Sequence, residues 1–140
     1  MALAAGWAGL EEIECNDLTG RARTIGQTLK TELQGLAARF PFIGDVRGKG
    51  LLLAFELVSD KETMKPLPTE YDAYLDLVEE AYSRGLIIYS RRTRGGREGD
   101  HFMVCPPLIA TQKHIEEIVE KLTASLDTFA RKHNLPRGNL

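Results

Sequence analysis

A chain of 140 residues, 43% hydrophobic and 27% charged, is of one-domain size, and a globular chain of that length removes roughly 68–70% of its unfolded surface from water. The balance argues against disorder, no apolar run approaches the roughly 18 residues of a membrane span, and a formal charge of −2 gives no general attraction to nucleic acid. Cys15 and Cys105 are too few for a disulfide framework and fit a reducing cytosol. The expected setting is cytoplasmic, with no membrane and no nucleic acid as partner. The opening MALAAGWAGLEEIE has no basic segment before its apolar part, so no signal peptide is expected.

In chain order, Leu3, Trp7, Leu10 and Ile13 fall about one turn apart and predict a helix over residues 2–14. It begins with no capping residue, as a segment cut from something longer would. Asn16-Asp17 breaks the pattern and can cap a second helix, whose Leu18, Ala22, Ile25, Leu29, Leu33, Leu36 and Phe40 recur at helical steps until Pro41 stops them. Residues 43–46 and 51–58 are aliphatic and β-branched and predict two strands with a kink or bulge at Gly48-Lys49-Gly50. Residues 59–69 carry Pro66 and Pro68 and read as a loop. Thr69 and Asp72 have capping-box spacing for a third helix with Tyr71, Tyr74, Leu75, Val78 and Tyr82 on its apolar face, ended by Gly85. Residues 86–89 and 102–105 are short apolar runs that predict strands around a loop carrying Arg91, Arg92, Arg94 and Arg97. Thr111 caps a last helix with Ile115, Ile118, Val119, Leu122, Leu126 and Phe129 on one face. The expectation is a single α+β domain over residues 1–133, a small antiparallel sheet covered by helices, with residues 134–140 as a tail.

The arginine loop carries the strongest chemical signal. Guanidinium forks match carboxylates and phosphates, while a solvated loop tip made soluble by charge is the plain alternative. Gly48-Lys49-Gly50 lacks phosphate-loop spacing and precedes a strand rather than a helix. His101 and Cys105, four apart on a strand, would stand about 13 Å apart, too far to share a metal. No serine or cysteine has a base neighbour in sequence.

The order of motifs then becomes informative. Gly44-Asp45-Val46-Arg47-Gly48-Lys49-Gly50-Leu51 leads into a strand ending Glu56-Leu57; Arg84-Gly85-Leu86, Gly99-Asp100-His101 and Pro106-Pro107-Leu108 follow, before a Thr-capped helix. This series resembles the C-terminal end of class III pyridoxal-phosphate-dependent aminotransferases, and is most similar to the omega-amino acid:pyruvate branch. The resemblance implies the small C-terminal domain of a fold-type I transferase. It implies a large pyridoxal-phosphate-binding domain missing from this chain, which would supply the Schiff-base lysine, the acid facing the pyridine nitrogen and most of the phosphate site. It also implies pyridoxal phosphate in the complete enzyme with none bound to this chain alone, an amino donor and a 2-oxo acid as substrates, and a homo-oligomer. Lys49-Gly50-Leu51 is similar to the triplet around the family's catalytic lysine, but its flanks match the small-domain strand, so Lys49 is not read as catalytic. The family's mobile carboxylate-binding arginine matches Arg97 best, three residues before Asp100, with Arg94 as its competitor. A stand-alone binding or assembly module with an anion-binding arginine loop is the alternative.

Overall fold

The computed structural model describes residues 2–93, 96 and 98–138. Helix α1 (Ala2–Cys15) is followed by α2 (Leu18–Arg39), strands β1 (Ile43–Lys49), β2 (Leu52–Asp60) and β3 (Lys65–Pro66), a 3₁₀ turn at Thr69–Tyr71, α3 (Ala73–Ser83), β4 (Tyr89–Thr93), β5 (Glu98–Val104) and α4 (Gln112–Lys132). The sheet runs β1-β2-β5-β4 with β3 beside β2, and every pairing is antiparallel. This is the expected α+β class. No helix among the described residues is long and apolar enough to cross a membrane.

Each helix begins and ends for a local reason. Asp17, in left-handed backbone with φ 43°, accepts the Gly20 N–H at 3.1 Å and so relieves one unpaired donor at the start of α2. The α2 register then places Leu29, Leu33 and Leu36 in the core. At α4, His114 Nδ1 accepts the Thr111 N–H at 3.2 Å, a histidine in the place usually held by Glu. That register buries Ile115, Leu122, Leu126 and Phe129 as the periodicity predicts.

Helices α2, α3 and α4 cover one face of the sheet. Alternation along β2 sends Leu53, Phe55 and Leu57 inward, and along β5 Phe102 and Val104. Phe55 and Phe102 stack across the two central strands at 5.1 Å, the closest cross-strand aromatic contact of the core.

Four local expectations need correction. Gly48-Lys49-Gly50 is no kink between separate strands: Lys49 pairs with Leu52, so Gly50 and Leu51 form the tight turn of a β1–β2 hairpin, and the irregularity in pairing falls between Ile43 and Asp45. Gly50 sits at φ 56°, a conformation open to glycine, and a Cβ on Gly26 of α2 would lie 2.2 Å from its carbonyl oxygen. Thr69 opens a 3₁₀ turn instead of capping α3, and Asp72, with φ 43°, is the N-cap without a side-chain capping bond. The buried stripe of α3 is Ala73, Leu77 and Ala81, while Leu75 and Tyr82 are exposed; small residues let the helix lie close to the sheet and to α4. Finally, β4 starts at Tyr89 rather than residue 86, since Leu86 and Ile88 fill the core before any ladder bond forms.

Candidate functional site

Strand alternation leaves the second face of the sheet without a helix over it. One transverse row there crosses all four long strands, Asp45 opposite Glu56, Glu56 opposite His101 and His101 opposite Arg91. Arg47, two residues beyond Asp45 and so on the same side, donates from one nitrogen to Asp45 Oδ2 and Glu56 Oε2, each at 2.9 Å. The hydrogen bond to Asp45, with that to Glu56, raises the guanidinium above its ordinary value against the cost of burial. Arg91 is exposed, and His101 Nδ1 is buried without a hydrogen-bond partner among the described residues. A cavity of about 400 Å³ opens at the end of this face between Glu56, Thr63, Lys65, Thr93 and Glu98.

The β4–β5 hairpin defines where the arginine cluster stands. Arg91 and Arg92 belong to strand β4 and not to the loop, because Arg91 pairs with His101 and Arg92 with Asp100. Their side chains therefore point to opposite faces. Arg92 turns inward and is only 10% exposed, with Nε 2.8 Å and one terminal nitrogen 3.2 Å from the two oxygens of Asp100, itself 4% exposed. Asp72 Oδ1 lies 3.3 Å from the other terminal nitrogen, and the guanidinium sits 4.5 Å from the Tyr74 ring centroid. Such a two-bond fork with a ring on its flank satisfies the cation internally. Arg92 is committed to holding β4, β5 and the start of α3 together, and is not free to receive a ligand.

The base of the hairpin is held as firmly. Thr93 Oγ1 donates to the Glu98 carbonyl at 2.8 Å and the Gly99 carbonyl at 3.2 Å. Gly99 has φ 84°, and a Cβ there would stand 2.4 Å from Thr93 Oγ1. Arg94 and Arg97, the two residues expected to bind carboxylate, lie outside the described residues. Arg47 was not singled out by motif reading; its two-residue spacing from Asp45 was the available signal, since alternation puts both on one face.

Among the described residues no group of three or more His, Cys, Asp and Glu could hold a metal ion. His101 and Cys105 do not come together as a pair of ligands: His101 is within β5 and Cys105 is exposed just past its end. No lysine is buried; Lys49 is exposed at the hairpin turn, Lys30 reaches the Gly48 carbonyl at 3.5 Å, and Lys121 pairs with Glu117 at 2.6 Å.

Comparison with known proteins gives this architecture a family. Residues 1–126 match the family model described as aminotransferase class-III. The taurine–pyruvate aminotransferase of Bilophila wadsworthia is 35% identical over 133 residues, spanning 94% of this chain and 28% of that protein. A diaminobutyrate–2-oxoglutarate aminotransferase of Rhizobium meliloti is 33% identical over 135 residues, again 94% of this chain and 28% of the relative. Among solved structures, an amine transaminase from an uncultivated Pseudomonas species, in its pyridoxal-phosphate-bound form, superposes with a TM-score of 0.78 at 34% identity, covering 89% of this chain and 27% of that one. An (S)-enantioselective omega-transaminase from Thermomicrobium roseum superposes at 0.77 with 28% identity, over 88% and 26%. The chain thus spans little more than a quarter of the relatives it matches. Motif order, fold and family model agree, and the chain belongs to the class III aminotransferases.

Proposed function

We propose that this chain is the small C-terminal part of a class III aminotransferase, one that transfers an amino group between an amine or omega-amino acid and a 2-oxo acid. In this reading Arg97, or Arg94 in its place, holds the substrate carboxylate. The observation that carries it is the match of residues 1–126 to the family model by a chain that spans 28% of its taurine–pyruvate relative. The helix-free sheet face fits the same reading, because it leaves a side of the domain for a large domain to occupy. Pyridoxal phosphate, when bound to the complete enzyme, supplies the electron sink that stabilises the substrate carbanion. The residues present do not fit that cofactor. A lysine that condenses with it needs a desolvated or cation-flanked amine to be reactive at neutral pH, whereas the lysines here are exposed or spent on carbonyls and carboxylates. The reactive lysine and the cofactor site are therefore assigned to the missing large domain, and the complete enzyme to a homo-oligomer.

What this chain contributes is recognition. An arginine projecting from a clamped hairpin meets a carboxylate with two parallel bonds, and the Arg92–Asp100 pair and Thr93 hold the base from which it reaches. The decisive experiment replaces the matching quarter of the Bilophila taurine–pyruvate aminotransferase with this chain and measures transamination with pyruvate. An active chimera is expected, and Arg97→Ala in it should raise KM for pyruvate by about 100-fold, the loss of a charge-assisted pair. Arg94→Ala should change it by less than about threefold. A larger effect for Arg94 exchanges the two roles. A chimera that folds, binds cofactor and uses pyruvate equally well without either arginine overturns the carboxylate assignment. A stoichiometric, borohydride-fixed cofactor adduct on one lysine of the isolated chain would overturn the placement of the lysine elsewhere.

A further inference from the structure

Helix α1 is amphipathic, yet its apolar stripe is uncovered. Leu3, Trp7 and Leu10 follow one another around one side of the helix, and Trp7 remains 66% exposed. The helix has acids at Glu11, Glu12 and Glu14 and no basic residue. A shallow cavity of about 460 Å³ runs along it between Trp7, Leu10, Glu11, Ile13 and Glu14, and reaches Thr19 at the start of α2.

Thr19 also lines a second groove, of about 410 Å³, whose walls are of opposite charge: Arg23 of α2 and Lys49 of the hairpin turn, over Leu52, Pro106 and Leu108. Leu52 is 61% exposed there. Arg23 and Lys49 make no ion pair with any described residue, and the groove walls include no carboxylate. One continuous surface thus has an acidic apolar half and a basic apolar half, meeting at Thr19.

We infer that this surface binds a second copy of this chain about a two-fold axis near Thr19, the α1 stripe of each copy lying in the Arg23–Lys49 groove of the other. A two-fold interface must be self-complementary, each patch on one protomer meeting its counterpart on the other. A surface whose two halves are both apolar and of opposite charge satisfies that condition with itself. Side-by-side pairing of two α1 helices in parallel would instead set acid against acid. The tryptophan and leucines supply the desolvated centre and the charges set the orientation. The inference names the surface behind the homo-oligomer proposed above but rests only on this chain's exterior. Loss of dimerisation and loss of transamination in the chimera are separate readouts.

Trp7 is the chain's single tryptophan, so its fluorescence reports the interface directly. Sedimentation of the purified chain should show a monomer–dimer equilibrium, with Trp7 emission moving to longer wavelength on dilution. The acidic half is reversed in one variant, Glu11→Lys with Glu14→Lys, and the basic half in another, Arg23→Glu with Lys49→Glu. Each variant alone should dimerise at least about tenfold more weakly, because like charges then face each other. The two variants mixed should form a heterodimer of near wild-type affinity, since every contact again joins opposite charges. All four positions are exposed, and far-UV circular dichroism checks that both variants fold; Trp7 dilution of the unmodified chain needs no variant. A wild-type chain that stays monomeric to about 0.5 mM overturns the inference. So do a dimer in which either variant alone associates like wild type and a mixture that fails to associate.

Discussion

Arg92 keeps a full charge at a position only 10% exposed, and its surroundings explain how. Its fork is closed by Asp100, flanked by Tyr74 and approached by Asp72. Asp100 depends on Arg92 in turn, because no other cation reaches this 4%-exposed carboxylate among the described residues. Breaking such a pair on one side costs more than the pair is worth, since the survivor keeps its desolvation penalty. Arg92→Ala should therefore lower unfolding stability by about 3 kcal/mol, read from urea denaturation. Replacing both, Arg92→Met with Asp100→Leu, should cost clearly less than the single change. A double variant as damaged as the single would mean that Tyr74 packing and the Thr69 carbonyl, not charge, dominate the site. The hairpin register was the missing information: Arg92 and Asp100 are eight apart in sequence and become partners only once β4 and β5 pair, which motif reading had placed three residues off.

At the scale of elements, α2 and the β1–β2 hairpin meet with no side chain between them. A Cβ on Gly26 would fall 2.2 Å from the Gly50 carbonyl oxygen, against backbone that cannot rotate away. Gly26→Ala should improve helix propensity by roughly 1 kcal/mol and still destabilise the protein by about 2 kcal/mol, because the hairpin must move off the helix. Gly35 of the same helix has open space around its Cβ position, and Gly35→Ala should stabilise by a few tenths of a kcal/mol or more. The pair of thermal or urea midpoints tests contact against propensity; two changes of the same sign would reject the close-contact account. The elements themselves were legible in sequence to differing degrees. Helices α2 and α4 were readable because long leucine-rich periodicity has one burial solution. The face of α3 was not, because hydropathy ranks Tyr71, Tyr74 and Tyr82 above Ala73 and Ala81, while packing favours the residues that allow close approach. Residues 86–88 looked like a strand because core-filling and ladder-forming apolar residues have the same composition. Of the candidate site, the motif order pointed to the family. The two carboxylate candidates, Arg94 and Arg97, fall outside the described residues, and the Arg47–Asp45–Glu56 group needed the strand pairing before it could be seen.

For the molecule as a whole, the helical layer is closed by one polar clip between α3 and the end of α4. Asp76 accepts from Lys132 at 2.5 Å through one oxygen and pairs with His133 Nε2 at 2.6 Å through the other. The His133 ring stacks on Tyr71 at 4.5 Å and lies 4.6 Å from Phe129, so the clip also seals the apolar layer behind it. Burial pushes the Asp76 carboxyl up, but the hydrogen bonds from Lys132 and His133 outweigh it and hold the group below its ordinary value of 3.8. A carboxyl depressed in the folded state adds stability that is complete above the unfolded value and disappears as pH falls through the folded one. Asp76→Asn should accordingly cost about 1–2 kcal/mol at pH 7, in line with the loss of hydrogen bonds to a charged acceptor. The gap to the parent should narrow steadily as pH is taken below 3.8, where the parent's own carboxyl gains its proton. Urea midpoints for the two proteins between pH 7 and pH 3 read this directly. A gap that stays constant down to the acid end would show that Asp76 acts by shape alone and that the α3–α4 closure owes nothing to its charge.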